Sequence, residues 1–154
     1  MLFKLVTPER VLFEEEIVSA TLPTESGEIT ILPGHMSMVS NLAPGVAELK
    51  LKDGRIEDVA LSGGCIKVAD NAITVLADTA ERGEELDMEV IEEARVRAEK
   101  LMKEKASENE ESFAQAAAMM ERELARYKAA NKYRQRKGLR TSSVREEHKT
   151  PEQT

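Results

Sequence analysis

Val46-Ala47-Glu48-Leu49-Lys50-Leu51-Lys52-Asp53-Gly54-Arg55 alternates apolar with charged side chains and then turns. From Ala47 to Leu51 every second residue is apolar, the period of a strand with one buried and one wet face. Asp53-Gly54 follows as a tight-hairpin dipeptide, because both central positions of such a turn favour positive φ. Working outward in both directions, the same rhythm continues as candidate strands at 3–7, 11–15, 17–24, 28–32, 36–41, 46–51, 55–62, 65–69 and 72–77. Their breaks carry turn chemistry: Pro8-Glu9, Ser26-Gly27, Pro33-Gly34, Pro44-Gly45 and Asp70-Asn71. Many short strands at regular spacing predict a β-sandwich over residues 1–86.

After Asp87 the period changes. Ile91, Ala94, Ala98, Leu101 and Met102 recur at three and four with Glu and Arg between them, which predicts an amphipathic helix over 88–105. Asp87 is placed to cap its start. Ser107-Glu108-Asn109-Glu110 has the spacing of a capping box opening a second helix at 110–137, with Phe113, Ala117, Met120, Leu124 and Tyr127 as its apolar stripe and Gly138 as its stop. The expected second unit is therefore an antiparallel two-helix hairpin over 87–138, followed by a disordered tail at 139–154 with little apolar content. The stripes are narrow and rich in alanine, so the two helices share little apolar surface. Such a hairpin depends on the sandwich or on a partner, and two arrangements, docked and opened, fall within reach of each other.

Charge is distributed unevenly. The net of −7 divides into −8 over residues 1–86, −4 over 87–118, +6 over 119–140 and −1 over 141–154. A basic block on an acidic chain points to an anionic partner for that block. Arg122 and Arg126 lie four apart on one helix face, Lys128, Lys132 and Arg136 form a second row at that spacing, and Tyr127 and Tyr133 lie between the rows. The acidic remainder opposes nucleic acid as that partner.

Catalytic chemistry finds no support. His148 lies in the polar tail, and a metal site would need further His or Cys ligands that are absent. A triad could use only His35, which has no nucleophile-elbow sequence nearby, so no catalytic, metal-ligating or cofactor-binding set is expected. Gly63-Gly64 lacks the lysine and spacing of a phosphate loop and reads as a bend or bulge. Cys65, the single cysteine, excludes an internal disulfide and sits in an apolar run as a small hydrophobe. No apolar run is long enough to span a bilayer, and the start of the chain reads as a strand, not a leader, so the expectation is a soluble protein or one held to a membrane through partners. Asp78, Thr79, Glu81 and Arg82 read as a polar loop leading out of the last strand. Pro33-Gly34-His35 reads as an exposed turn suited to recognition, and Glu28 follows the Ser26-Gly27 turn.

Three separated segments, Gly27-Glu28-Ile29-Thr30-Ile31-Leu32-Pro33-Gly34-His35, Leu61-Ser62-Gly63-Gly64 and Ile73-Thr74-Val75-Leu76-Ala77-Asp78-Thr79-Ala80-Glu81-Arg82-Gly83, agree in order and spacing with the ε subunit of F-type ATP synthase, which the chain resembles over about residues 1–137. The resemblance implies a flattened ten-stranded sandwich, a helical hairpin, and a non-catalytic rotor subunit that binds γ and the c-subunit ring. It implies that Glu28 and Ile29 face the c ring and that His35, Met36 and Met38 face γ. In that family the helices also open along γ and restrain ATP hydrolysis. Arg122, Arg126, Lys128 and Lys132 are then the positions implied to meet an acidic segment on the β subunits of the α/β head. The implied location is peripheral, on the cytoplasmic face of a bacterial plasma (inner) membrane. Some members bind ATP at the hairpin through Ile/Leu-Asp-x-x-Arg-Ala. Here Leu86 and Asp87 match, but Val90 and Ile91 replace the Arg-Ala pair, and Glu89, Glu92 and Glu93 repel phosphate, so weak or no ATP binding is expected. The competing reading is a stand-alone module whose basic helix binds nucleic acid or anionic lipid.

Overall fold

The computed structural model describes residues 1–138, so the tail expected at 139–154 lies outside the described residues. Nine strands come first: β1 (Leu2–Val6), β2 (Val11–Thr24), β3 (Gly27–Ile31), β4 (Met38–Leu42), β5 (Gly45–Leu51), β6 (Ile56–Leu61), β7 (Gly64–Ala69), β8 (Ala72–Ala77) and β9 (Ala80–Arg82). A short 3-10 turn (Gly83–Glu85) leads to α1 (Met88–Lys105) and α2 (Glu110–Arg136).

The two strands expected at 11–15 and 17–24 are one strand of fourteen residues. Its first half pairs with β1, and its second half pairs with β3 and β5 beyond a register shift between Ile17 and Ser19. β2 therefore serves both layers of the sandwich, β1-β8-β7-β4 on one side and β3, β5, β6 and β9 on the other. This accounts for nine strands where the resemblance implies ten. The core between the layers is filled by the inward residues of both, among them Phe3, Ile17, Leu22, Leu49, Ile66 and Ile73, each no more than 1% exposed. Phe3 and Phe13 meet edge to face at 5.9 Å.

Two turns differ from expectation. The residues with paired positive φ are Asp70 (51°) and Asn71 (56°), which close the β7–β8 hairpin. At Asp53-Gly54 the glycine alone is left-handed, and Asp53 acts through its side chain, whose Oδ1 accepts from Arg55 N at 2.9 Å. Gly64 (φ +134°) admits no side chain: a Cβ there would lie 2.1 Å from the carbonyl oxygen of Leu76 on the neighbouring strand. The Gly63-Gly64 pair is thus a tight entry into β7, as the bend reading predicts. β9 was not expected. It pairs with β6 through Val59↔Arg82, Ala60↔Glu81 and Leu61↔Ala80, and three residues are too few for alternation to register.

Asp87 caps α1 as expected, its side chain accepting from the backbone N of Glu89 and Val90. The cap of α2 is Asn109, which accepts from Ser112 N at 2.7 Å, and not Ser107. Gly138 (φ +67°) follows the last turn of α2. The buried side of α2 also differs from the predicted stripe. Ala116, Ala125, Ala129 and Ala130 are buried, whereas Phe113 is 40% exposed. α2 packs on α1 and also on β5, β6 and the 3-10 turn, so it needs small residues where it approaches the sandwich backbone. The wet face expected for β5 is covered there: Val46, Ala60 and Ala129 form a small apolar cluster with Leu86 against it.

Candidate functional site

Three places in the fold hold the residues singled out above. The first is the pair of ends of β3. Glu28 lies beside the Ser26-Gly27 turn, exposed and in register with Pro23. Ile29 turns inward and packs against the sandwich core. Beyond the other end of the strand, about 13 Å away at strand rise, the 32–36 turn closes with His35 N donating to Leu32 O at 3.1 Å. Gly34 N donates to Asn71 Oδ1 at 3.2 Å, and His35 Nδ1 lies 2.8 Å from Met36 O. Met36 is 77% exposed and Val39 75%, with Leu32 exposed beside them, while Met38 packs on the core. The expected c-ring and γ residues are thus held at opposite ends of one rigid strand. Each set contains one inward side chain that supports the loop instead of presenting itself.

The second place is the basic face of α2, and here the structure supplies what the sequence did not suggest. Arg126 Nη1 donates to Glu123 at 2.8 Å, its Nη2 donates to Glu81 Oε1 at 3.2 Å, and its Nε lies 2.7 Å from Glu81 Oε2. Arg136 Nε donates to Asp58 Oδ2 at 2.8 Å, and its Nη2 donates to Glu48 at 2.5 Å and to Asp58 Oδ1 at 3.3 Å. Lys132 Nζ stands 3.5 Å from the same Glu48 oxygen. The Asp58 side chain is 1% exposed. The hydrogen bond to Asp58 holds the Arg136 guanidinium above its usual pKa, against burial. For Arg126, burial works to lower the pKa, and the Glu123 and Glu81 carboxylates outweigh it. Arg122 and Lys128 are exposed and make no ion pair among the described residues.

Glu48, Asp58 and Glu81 were missed as partners. A signal existed: Val46 and Ala60 stand opposite each other in the β5–β6 ladder, as do Glu48 and Asp58. Apolar residues on the supposedly wet side of two paired strands mark a covered face.

Glu28, Lys128 and Lys132, assigned to separate surfaces by the sequence, line one cleft of about 320 Å³ with Pro23, Tyr127 and Asn131. The third place is the start of α1. Asp87 Oδ1 accepts from Glu89 N at 2.8 Å and from Val90 N at 3.4 Å, so its carboxylate is engaged in capping. A shallow acidic groove lined by Glu89, Glu92, Glu93, Val96 and Arg97 adjoins it. Three carboxylates against the one guanidinium of Arg97 leave this groove with a net negative charge.

Among the described residues no helix is long and apolar enough to cross a membrane, and no cluster of three or more His, Cys, Asp or Glu could hold a metal ion. Residues 1–83 match the family model described as ATP synthase, Delta/Epsilon chain, beta-sandwich domain. The ATP synthase epsilon chain of Delftia acidovorans is 37% identical over 134 residues, covering 86% of this chain and 95% of that one. The epsilon chain of Moorella thermoacetica is 37% identical over 127 residues, covering 82% and 93%, and that of Dichelobacter nodosus is 44% identical over 99 residues, covering 64% and 69%. Among solved structures, a chain of the Euglena gracilis mitochondrial ATP synthase, resolved with OSCP, F1 and c-ring in rotational state 1, superposes with a TM-score of 0.73 at 26% identity, covering 85% of this chain and 81% of that one.

Proposed function

Since this chain belongs to the ATP synthase epsilon-chain family, we infer that it is a non-catalytic rotor subunit whose sandwich grips γ and the c ring and whose hairpin restrains ATP hydrolysis. In this reading Glu28, at the tip of β3, meets the polar loops of the c ring, and Ile29 sets that tip against the core. His35 and Met36 meet γ from the other end of the strand, with Met38 anchoring their loop. Separation to opposite ends of a short strand suits two partners that must be held apart and turned together. The complex then sits at the cytoplasmic face of a bacterial inner membrane, which this chain touches through its partners.

The hairpin's role rests on one observation: α2 is attached to the sandwich by ion pairs around a contact as small as Val46, Ala60 and Ala129. Helices held by charge around so little apolar area release for a modest free energy. Once released, Arg122, Arg126, Lys128 and Lys132 present a cationic face to an acidic segment of the β subunits. Asp87 belongs to the helix cap in this reading, and the hairpin takes ATP weakly or not at all. The free nucleic-acid or lipid module is disfavoured, because the docked basic residues already face carboxylates of the same chain.

The test is reconstitution with γ and the c ring. The full chain should be retained by both, and the chain cut after residue 87 should assemble equally well while raising ATP hydrolysis of the complex. Failure to retain γ removes the rotor assignment. Unchanged hydrolysis on truncation removes the regulatory half alone.

A further inference from the structure

We propose that Glu48, Asp58 and Glu81 form an internal acidic counterpart that competes with the hairpin's acidic partner for the same guanidinium and ammonium groups. This deepens the reading just given and rests on it. In the docked state Arg126 is taken by Glu81, Arg136 by Asp58 and Glu48, and Lys132 by Glu48. Arg122 and Lys128 are exposed and make no ion pair among the described residues. Two of the forked arginines that best match a carboxylate pair, Arg126 and Arg136, are therefore engaged while the hairpin is down, and Arg134, like Arg122, makes no ion pair among the described residues. An incoming acidic surface meets Arg122 and Lys128 first and gains Arg126, Lys132 and Arg136 after they leave the sandwich.

Asp58 gives this competition its direction. Its side chain is 1% exposed and both of its oxygens are bonded to Arg136. Docking therefore buries a carboxylate, which is tolerable only with the guanidinium in place. When α2 departs, the cover over β6 goes with it and water replaces Arg136 around Asp58. The sandwich is left with a hydrated acidic face, and the helix leaves with its cations unmasked. Both products of release are charged, and the opposite charges that hold them together are the ones the partner must outbid. The basic block carries +6 and the sandwich segment −8, and the ion pairs of Arg126, Lys132 and Arg136 join the two.

The experiment uses the full chain labelled with a donor–acceptor pair, one dye at Cys65 and one on α1, to read docking. Poly-L-glutamate titrated at low salt is the acidic probe. Asp58→Asn together with Glu48→Gln should lower the docked fraction and tighten poly-L-glutamate binding by about the factor by which the released fraction rises, because apparent affinity scales with the population of the competent state. Gly83→Val provides release without touching a charge: even a Cβ at Gly83 would lie 2.9 Å from Ala129 O and 3.0 Å from Tyr133 Cβ. It should tighten binding in the same way. Sandwich integrity is followed by the core's own unfolding transition, which all variants must retain. If Asp58→Asn/Glu48→Gln releases the hairpin and poly-L-glutamate binds no tighter, competition is overturned and the regulatory reading stands. If that variant stays docked, competition is overturned as well. If Gly83→Val is released and binds no poly-L-glutamate at all, the cationic face is not an acid-binding surface, and the regulatory reading falls with the competition.

Discussion

Burial sets the behaviour of two acids that sit side by side in β6 on opposite faces. Asp58 is sealed under α2 with a guanidinium. Glu57 is part-buried on the other face, and burial raises its pKa against the pull of Arg82 and Arg55. A carboxyl whose folded pKa lies above the ordinary 4.5 releases its proton later than in the unfolded chain. Stability from this group is therefore highest below 4.5, declines as pH rises toward the folded pKa and is level above it. Glu57→Gln should abolish that decline and leave the protein more stable at neutral pH than the parent, as read by urea midpoints between pH 4 and 8. A parent and variant with parallel pH profiles would remove burial as the cause. At Gly64 the constraint is steric. Gly64→Ala places a Cβ against Leu76 O, so either β7 or β8 must shift, and a loss of more than about 3 kcal/mol is expected, measured by equilibrium unfolding. Gly63-Gly64 was legible as a bend from composition. The reason Gly64 admits nothing else lies in a strand twelve residues away and is not local.

At the scale of elements, the helix boundaries were legible and the choice of cap was not. Ser107 and Asn109 both precede α2, and both are good caps. Asn109 takes the role because its backbone is extended (φ −158°, ψ 165°) and its side chain reaches Ser112 N. Asn109→Ala should cost about 1 kcal/mol of α2 stability, seen as faster amide exchange through the first turn of α2. Ser107→Ala should change exchange there little. Equal effects from the two substitutions would restore the capping box. The buried side of α2 was misread for a different reason. Periodicity marks Phe113, Met120 and Leu124 by size. A helix seated on a sheet with a second helix on its back instead buries residues that allow close approach, here Ala125, Ala129 and Ala130. The outer face of β5 was expected to be wet for a related reason: a covering helix from the far end of the chain is invisible to a window of six residues.

For the whole molecule, the two units are stabilised by different physics and should respond differently to salt. The sandwich closes over a contiguous core of large side chains with Phe3, Leu5, Leu22 and Ile66 fully buried, and burial of that kind is insensitive to screening. The hairpin meets it through Val46, Ala60, Ala129 and Leu86 and a ring of ion pairs whose Lys132 and Arg136 side chains are 44% and 33% exposed. Partly exposed pairs weaken as the Debye length falls from about 10 Å at 0.1 M to about 3 Å at 1 M salt. Heating the chain at low salt should therefore release the hairpin first and melt the sandwich second. Raising sodium chloride toward 1 M should move the first transition down while the second stays level or rises. Differential scanning calorimetry with the Cys65–α1 distance as a parallel reporter separates the two events. A single transition that shifts as one with salt would mean that helices and sandwich form one cooperative unit. In that case the hairpin could not leave on its own, and neither a brake that swings to the catalytic head nor a competition for its arginines would have a released state to act from.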